Sequence, residues 1–232
     1  MNIRRVFLIL YGAPLMAQVA PTPSQMALWN EYQQSFVLER TEINQPGGLT
    51  VSAKRLRHNT PTKAWDAFNR SLKFVNSGSW ARCAVELEKA VAIDPGFPEA
   101  HSNLAVTYIE LLRFDIAAEE LRQAVKLDPS NSVYHANLAL ALILLHRPQQ
   151  AQPEAQTAVS LDPVNRKAQF LLGYLLSKNG DTRAAAAKYL NYAAPELPAA
   201  HYFLAQIYQA DGLESLARSE MDRYRQAAAE NK

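Results

Sequence analysis

Two runs of apolar residues at helical spacing, separated by a short polar break, occupy the stretch from Pro98 to Pro129. The first predicts a helix from about Pro98 to Leu112, the second a helix from about Ile116 to Leu127. Leu104, Tyr108, Leu121 and Ala124 make up the face that must be buried. Ala105 and Ala117 stand where the two helices cross, because helix axes approach to about 8–10 Å only over small side chains. The pattern then repeats. Asp94-Pro95, Asp128-Pro129 and Asp162-Pro163 follow one another at a step of 34 residues. Leu104, Leu138 and Leu172 keep that step, as do Ala105, Ala139 and Gly173, and Ala117, Ala151 and Ala185. Proline closes each unit because it cannot continue a helix and drives the residue before it towards extended geometry.

A period of 34 with two helices per unit resembles the tetratricopeptide-repeat (TPR) family. The resemblance implies an all-α TPR solenoid of about five helix-turn-helix repeats wound as a right-handed superhelix. The units fall at about 62–95, 96–129, 130–163, 164–195 and 196–229. Each is a hairpin of helix A and helix B, and neither buries its apolar stripe without a neighbour. The units differ in how closely they keep the pattern. In the first, Arg70 and Ser71 replace the leucine and the small apolar residue of later units, while Gly78 separates the helices and Trp80 opens helix B. The third carries Pro148 and Pro153, and Pro153 is expected to kink or delay helix B. The fourth is two residues short, has Asn179-Gly180 between its helices with Asp181 as the next N-cap, and ends in Ala194-Pro195. The last helix is expected to bury Leu213, Leu216, Ala217, Met221 and Tyr224. It should show Glu214, Arg218, Asp222 and Arg225 to water, a polar end that a solenoid requires.

Upstream of the repeats, residues 1–17 read as an export signal. Arg4 and Arg5 precede an apolar run, and a small residue allows cleavage after Ala17, or alternatively after Ala20. That run is shorter than the roughly 20 residues of a membrane span; an uncleaved N-terminal anchor is the alternative. Residues 18–60 read as a linker. Within it Met26, Trp29, Tyr32, Phe36 and Val37 predict a short amphipathic helix at about 24–40, followed by a turn at Gln45-Pro46-Gly47-Gly48. The chain is expected to be exported, periplasmic or secreted if its source is bacterial.

The 232 residues are 48% hydrophobic and 20% charged, the balance of a globular chain. A formal charge of +2 gives no electrostatic reason to expect nucleic acid. Cys83, the single cysteine, occupies the small-residue place of the first helix B and reads as a buried small hydrophobe. No phosphate loop, zinc-protease motif, nucleophile elbow or C-x-x-C is present, so no enzyme, cofactor or small-molecule substrate is expected. His101, His135 and His201 recur on successive A helices, roughly one repeat or more apart, which is too far for one ion; they read as packing residues. Asn103 and Asn137 read as helix A residues that bond locally.

In the family that this chain resembles, the second, fifth, ninth and twelfth residues of helix A line a concave groove. Counted so, the groove begins with Trp65, Phe68, Leu72 and Val75, then continues with Glu99, Ser102, Val106 and Ile109. Val133, Ala136, Leu140 and Ile143 follow, then Lys167, Phe170, Tyr174 and Ser177, and finally Ala199, Tyr202, Gln206 and Gln209. The clamp that some members use for a C-terminal carboxylate needs Lys at the fifth place and Asn at the ninth. Here the first three units have Phe68/Leu72, Ser102/Val106 and Ala136/Leu140. The resemblance therefore implies a non-catalytic scaffold that binds an apolar peptide or helix segment of a protein partner. The alternative is a structural, self-associating part of an envelope assembly, with the groove filled by the chain's own N-terminal helix or by another copy.

Overall fold

A computed structural model describes residues 59–75, 77–178 and 183–230. The export signal, the linker helix at about 24–40 and the Asn179-Gly180-Asp181 turn lie outside the described residues. Those residues form ten helices and no strand. They are α1 (Thr62–Val75), α2 (Trp80–Ile93), α3 (Pro98–Glu110), α4 (Phe114–Leu127), α5 (Ser132–Leu144), α6 (Pro148–Leu161), α7 (Arg166–Ser177), α8 (Arg183–Ala193), α9 (Ala199–Ala210) and α10 (Glu214–Glu230). Each odd-numbered helix packs on the even one that follows, and each even helix packs on the A helix of the next unit.

Two recurring turns set this geometry. Between A and B, one residue is left-handed: Gly78 (φ 62°), Leu112 (φ 63°), His146 (φ 56°) and Gly212 (φ 75°). The amide that follows reaches back over the helix end, as Ser79 to the Phe74 carbonyl (3.0 Å), Arg113 to Tyr108 (2.8 Å) and Arg147 to Leu142 (2.8 Å). This is the Schellman arrangement, which satisfies carbonyls that the helix leaves open. Between units, the Asp of Asp-Pro turns the chain with its side chain. Asp94 Oδ1 accepts from the Gly96 amide (3.0 Å), Asp128 from Ser130 (3.3 Å) and Asp162 from Val164 (3.1 Å). Asn131 and Asn165 then cap α5 and α7 by accepting from the Val133 and Ala168 amides.

The core runs along the stack through small residues at the crossings, among them Ala105, Ala117, Ala139 and Ala151, with Leu87, Leu121 and Leu190 filling the space between helices. Cys83 is buried, as its place in the repeat predicts, and burial pushes its thiol pKa up. In the first unit the irregular residues are accommodated: Ser71 donates to the Phe68 carbonyl (2.6 Å) and exposed Arg70 pairs with Glu86 (2.7 Å).

Three expectations are corrected. Ala185 is exposed and Ala186 takes the buried crossing place, because helix B of the fourth unit is set one residue later than the 34-residue step places it. α6 runs without a break through Pro153. The backbone bond lost there is to the first turn, where exposed carbonyls can tilt towards water. Leu213 and Leu216 are each 47% exposed, while Met221 and Tyr224 are half-buried. Leu213 precedes the helix, and Leu216 lies on the side where the second unit also exposes Ile116. Glu214, Arg218, Asp222 and Arg225 do face water, with Glu214 and Arg218 paired at 3.0 Å.

Candidate functional site, the inner face of the A helices

α3, α5, α7 and α9 touch one another side by side, so this row forms the tighter inner side of the stack. The positions anticipated for the groove lie on this row or on α1, but most are not open. Phe68 is fully buried among Trp65 (ring centroids 5.6 Å) and Phe97 (5.2 Å), in the core between units one and two. Ser102, Val106 and Ile109 on α3, Ala136, Leu140 and Ile143 on α5, Phe170 on α7 and Tyr202 on α9 are buried as well. Leu72, Val75, Tyr174 and Gln206 are half-buried, as are Trp65, Val133, Lys167 and Ser177, and Gln209 is exposed. The inner face therefore has an apolar floor and a thinner contact row than the repeat positions alone suggest.

The row is densest at units four and five. Tyr174 meets Phe203 edge-on at 5.1 Å, Phe170 lies 5.9 Å and Tyr202 5.3 Å from the same ring, and Tyr224 adds a contact to Tyr202 at 5.5 Å. The Lys178 ammonium sits over the Tyr174 and Phe203 rings at 5.2 and 5.7 Å, within cation–π range. Gln206 donates to the Tyr202 hydroxyl at 2.7 Å, which fixes the ring's polar edge. Burial pushes the Tyr174 phenol pKa up, so this ring presents a neutral hydroxyl.

Polar links tie the row together. Lys167 Nζ donates to Asn137 Oδ1 at 2.9 Å, bridging α7 to α5. This corrects the expectation that Asn137 bonds only locally, since the side chain that it serves comes from the next unit. Tyr108 donates to Glu88 at 2.7 Å across units one and two. The histidines are likewise more than packing residues. His101, His135 and His201 each place Nδ1 within 2.7 Å of a glutamate on the following B helix: Glu120, Glu154 and Glu220. A constant separation of 19 residues between histidine and glutamate in three units was the signal in the sequence that could have found these pairs. Among the described residues, no group of three His, Cys, Asp or Glu is placed to hold a metal ion, and no helix is long and apolar enough to cross a membrane.

Two tetratricopeptide-repeat models match the sequence, over residues 77–141 and 137–201. With the stacked hairpins and their 34-residue register, the chain belongs to the tetratricopeptide-repeat family. Proteins of this family are, in general, protein-interaction scaffolds. None of the curated proteins matches the sequence. Among solved structures, the chain is similar to MamA, at 21% identity and a TM-score of 0.59, over 69% of this chain and 95% of that one. It is similar to PilF of Pseudomonas aeruginosa at 24% identity and a TM-score of 0.62, over 71% of this chain and 76% of that one. YrrB, described as a TPR protein with an unusual peptide-binding site, aligns at 19% identity and a TM-score of 0.58, over 75% and 91%. At these identities the likeness is one of fold.

Proposed function

We propose that the chain is a non-catalytic scaffold that holds an apolar peptide or helical segment of a partner protein along the inner face of its A helices. The observation that carries this reading is the aromatic row of units four and five. Half-buried Tyr174 and Gln206 lie above a floor of Phe170, Tyr202 and Phe203, an amphipathic strip of the kind that receives an apolar helix face. Kinship in fold with YrrB, itself described as peptide-binding, supports the same reading. For a bacterial source, the apolar run and basic start of residues 1–17 favour a periplasmic or secreted setting, with an N-terminal anchor as the alternative.

A second reading has the face filled from within, by residues 24–40 or by another copy, in a structural assembly role. It is favoured by the burial of Glu99, Ser102 and Val106, second, fifth and ninth on α3. Selection of displayed peptides on the full chain tests the first reading. Apolar, helix-forming peptides should be enriched and should bind Tyr174→Glu at least about tenfold more weakly, with the circular dichroism of the variant unchanged. Peptides that bind the variant equally well would move the site elsewhere. Competition by a synthetic 24–40 peptide would favour the second reading.

A further inference from the structure

His101 and His135 each face two acceptors. His101 Nδ1 lies 2.6 Å from Glu120 Oε2 and its Nε2 3.1 Å from the Pro95 carbonyl oxygen. His135 repeats the arrangement, 2.7 Å from Glu154 and 3.0 Å from the Pro129 carbonyl. Both rings are buried. A neutral imidazole carries one N–H and serves one of the two oxygens; a carboxylate and a carbonyl together call for hydrogen on both nitrogens. We propose that His135–Glu154 is a proton-holding clasp that closes unit three, so that acid tightens and base loosens the middle of the inner face; His101–Glu120 repeats its geometry in unit two.

The His135 clasp joins three places: helix A, helix B of the same unit, and the Asp-Pro turn that enters from the unit before. Loss of its proton turns a nitrogen lone pair towards an oxygen in a buried place, which costs the fold a hydrogen bond and frees helix A from the preceding unit. The groups that face the His135 ring favour the proton. Around His135 they are Glu154 on α6 and Asp128 in the entering turn. Around His101 stands Glu120 on α4, whose charge also acts on the Tyr108 hydroxyl; that hydroxyl donates to Glu88 on α2, and the Arg113 guanidinium lies 6.0 Å over the Tyr108 ring. For His135, burial opposes the charged form, but the Glu154 and Pro129 bonds outweigh it and the pKa is raised. A raised folded value means stability that is complete below the ordinary histidine range and is lost as pH rises through the folded value.

The other units supply built-in contrasts. In the fourth, Gln169 takes the histidine's place and donates to the Pro163 carbonyl at 2.7 Å without titrating. In the first, Ala67 stands there and Glu86 is held by Arg70 and Lys89. In the fifth, Glu220 pairs with His201 and also accepts from Arg223 at 3.0 Å, a permanent cation.

Nitrogen NMR of the histidine side chains in the full chain reads the ring protons directly. At about pH 7.5, where an ordinary histidine is mostly neutral, the ring of His135 should show the imidazolium signature. The thermal midpoint should fall by about 2 °C or more between about pH 6 and pH 8.5, and the variant His135→Gln, which copies Gln169, should flatten that fall. A bare nitrogen on the His135 ring at pH 7.5, whether Nδ1 or Nε2, or an unchanged slope in the variant, would overturn the proposal. If the variant does not fold, the NMR of the unaltered chain still decides.

Discussion

A Cβ added to Gly173 would lie 2.7 Å from Cγ of Leu190 and 3.1 Å from its backbone nitrogen. An alanine like those at 105 and 139 would not fit there unless Leu190 moved. Gly173→Ala should therefore destabilise, despite its gain in helix propensity, by about 1–3 kcal/mol as overpacked cores do. Urea unfolding with unchanged slope is the check; a neutral or stabilising result would show that Leu190 swings clear.

His146 holds a left-handed backbone (φ 56°) that its side chain makes costly, and that side chain is exposed. Gly78 and Gly212 occupy the same turn in their units. His146→Gly should stabilise by up to about 1 kcal/mol and raise the midpoint by about 2–4 °C. A fall in midpoint would mean that the imidazole makes a compensating contact.

Burial and the hydrogen bond to Glu88 push the Tyr108 phenol up to about 12. The folded value lies above the unfolded one of about 10. The stability tied to it is therefore present below pH 10 and drains away between about pH 10 and pH 12. Tyr108→Phe should remove that part of the alkaline loss while lowering neutral stability by about 1 kcal/mol. Phenolate absorbance followed with melts at high pH tests both halves.

Cys83 is enclosed, its Sγ 3.4 Å from Thr107 Oγ1, with a thiol pKa raised by burial. Alkylation should be slow in the folded chain and track global unfolding as denaturant rises. Rapid labelling in native buffer would show that units one and two part without the rest.

Leu140 and Tyr174 separate floor from contact row. Leu140 is 2% exposed, so Leu140→Glu should unfold the third unit, because a lone carboxylate cannot be buried cheaply. Tyr174→Glu, at a half-buried ring, should keep its helicity and lose only binding. Equal loss of circular dichroism in both variants would place Tyr174 in the core.

The helical spacing within the 34-residue period and the Asp-Pro closures specify the fold, because both are local: 3.6-residue periodicity sets the helices and proline ends them. Leu112 and His146 show where local signals thin out. Glycine marks the left-handed turn in units one and five, but at 112 and 146 only the repeat register points to it, since neither residue prefers that backbone. The candidate groove was legible as a set of positions but not as a set of exposures: Ser102, Val106 and Leu140 sit where repeat counting puts them, and each is buried. Burial depends on how closely neighbouring elements approach, which one helix's sequence does not state.

Sequence alone determined that this chain is a stack of helical hairpins with small residues at the crossings and a polar last helix, because those follow from spacing along one chain segment. Only the tertiary structure decided that Ala186 rather than Ala185 meets α7, that Asn137 serves Lys167, and that three histidines bind glutamates 19 residues away. Those are meetings between separate elements, fixed to within an ångström by packing and by the need of buried polar groups for partners.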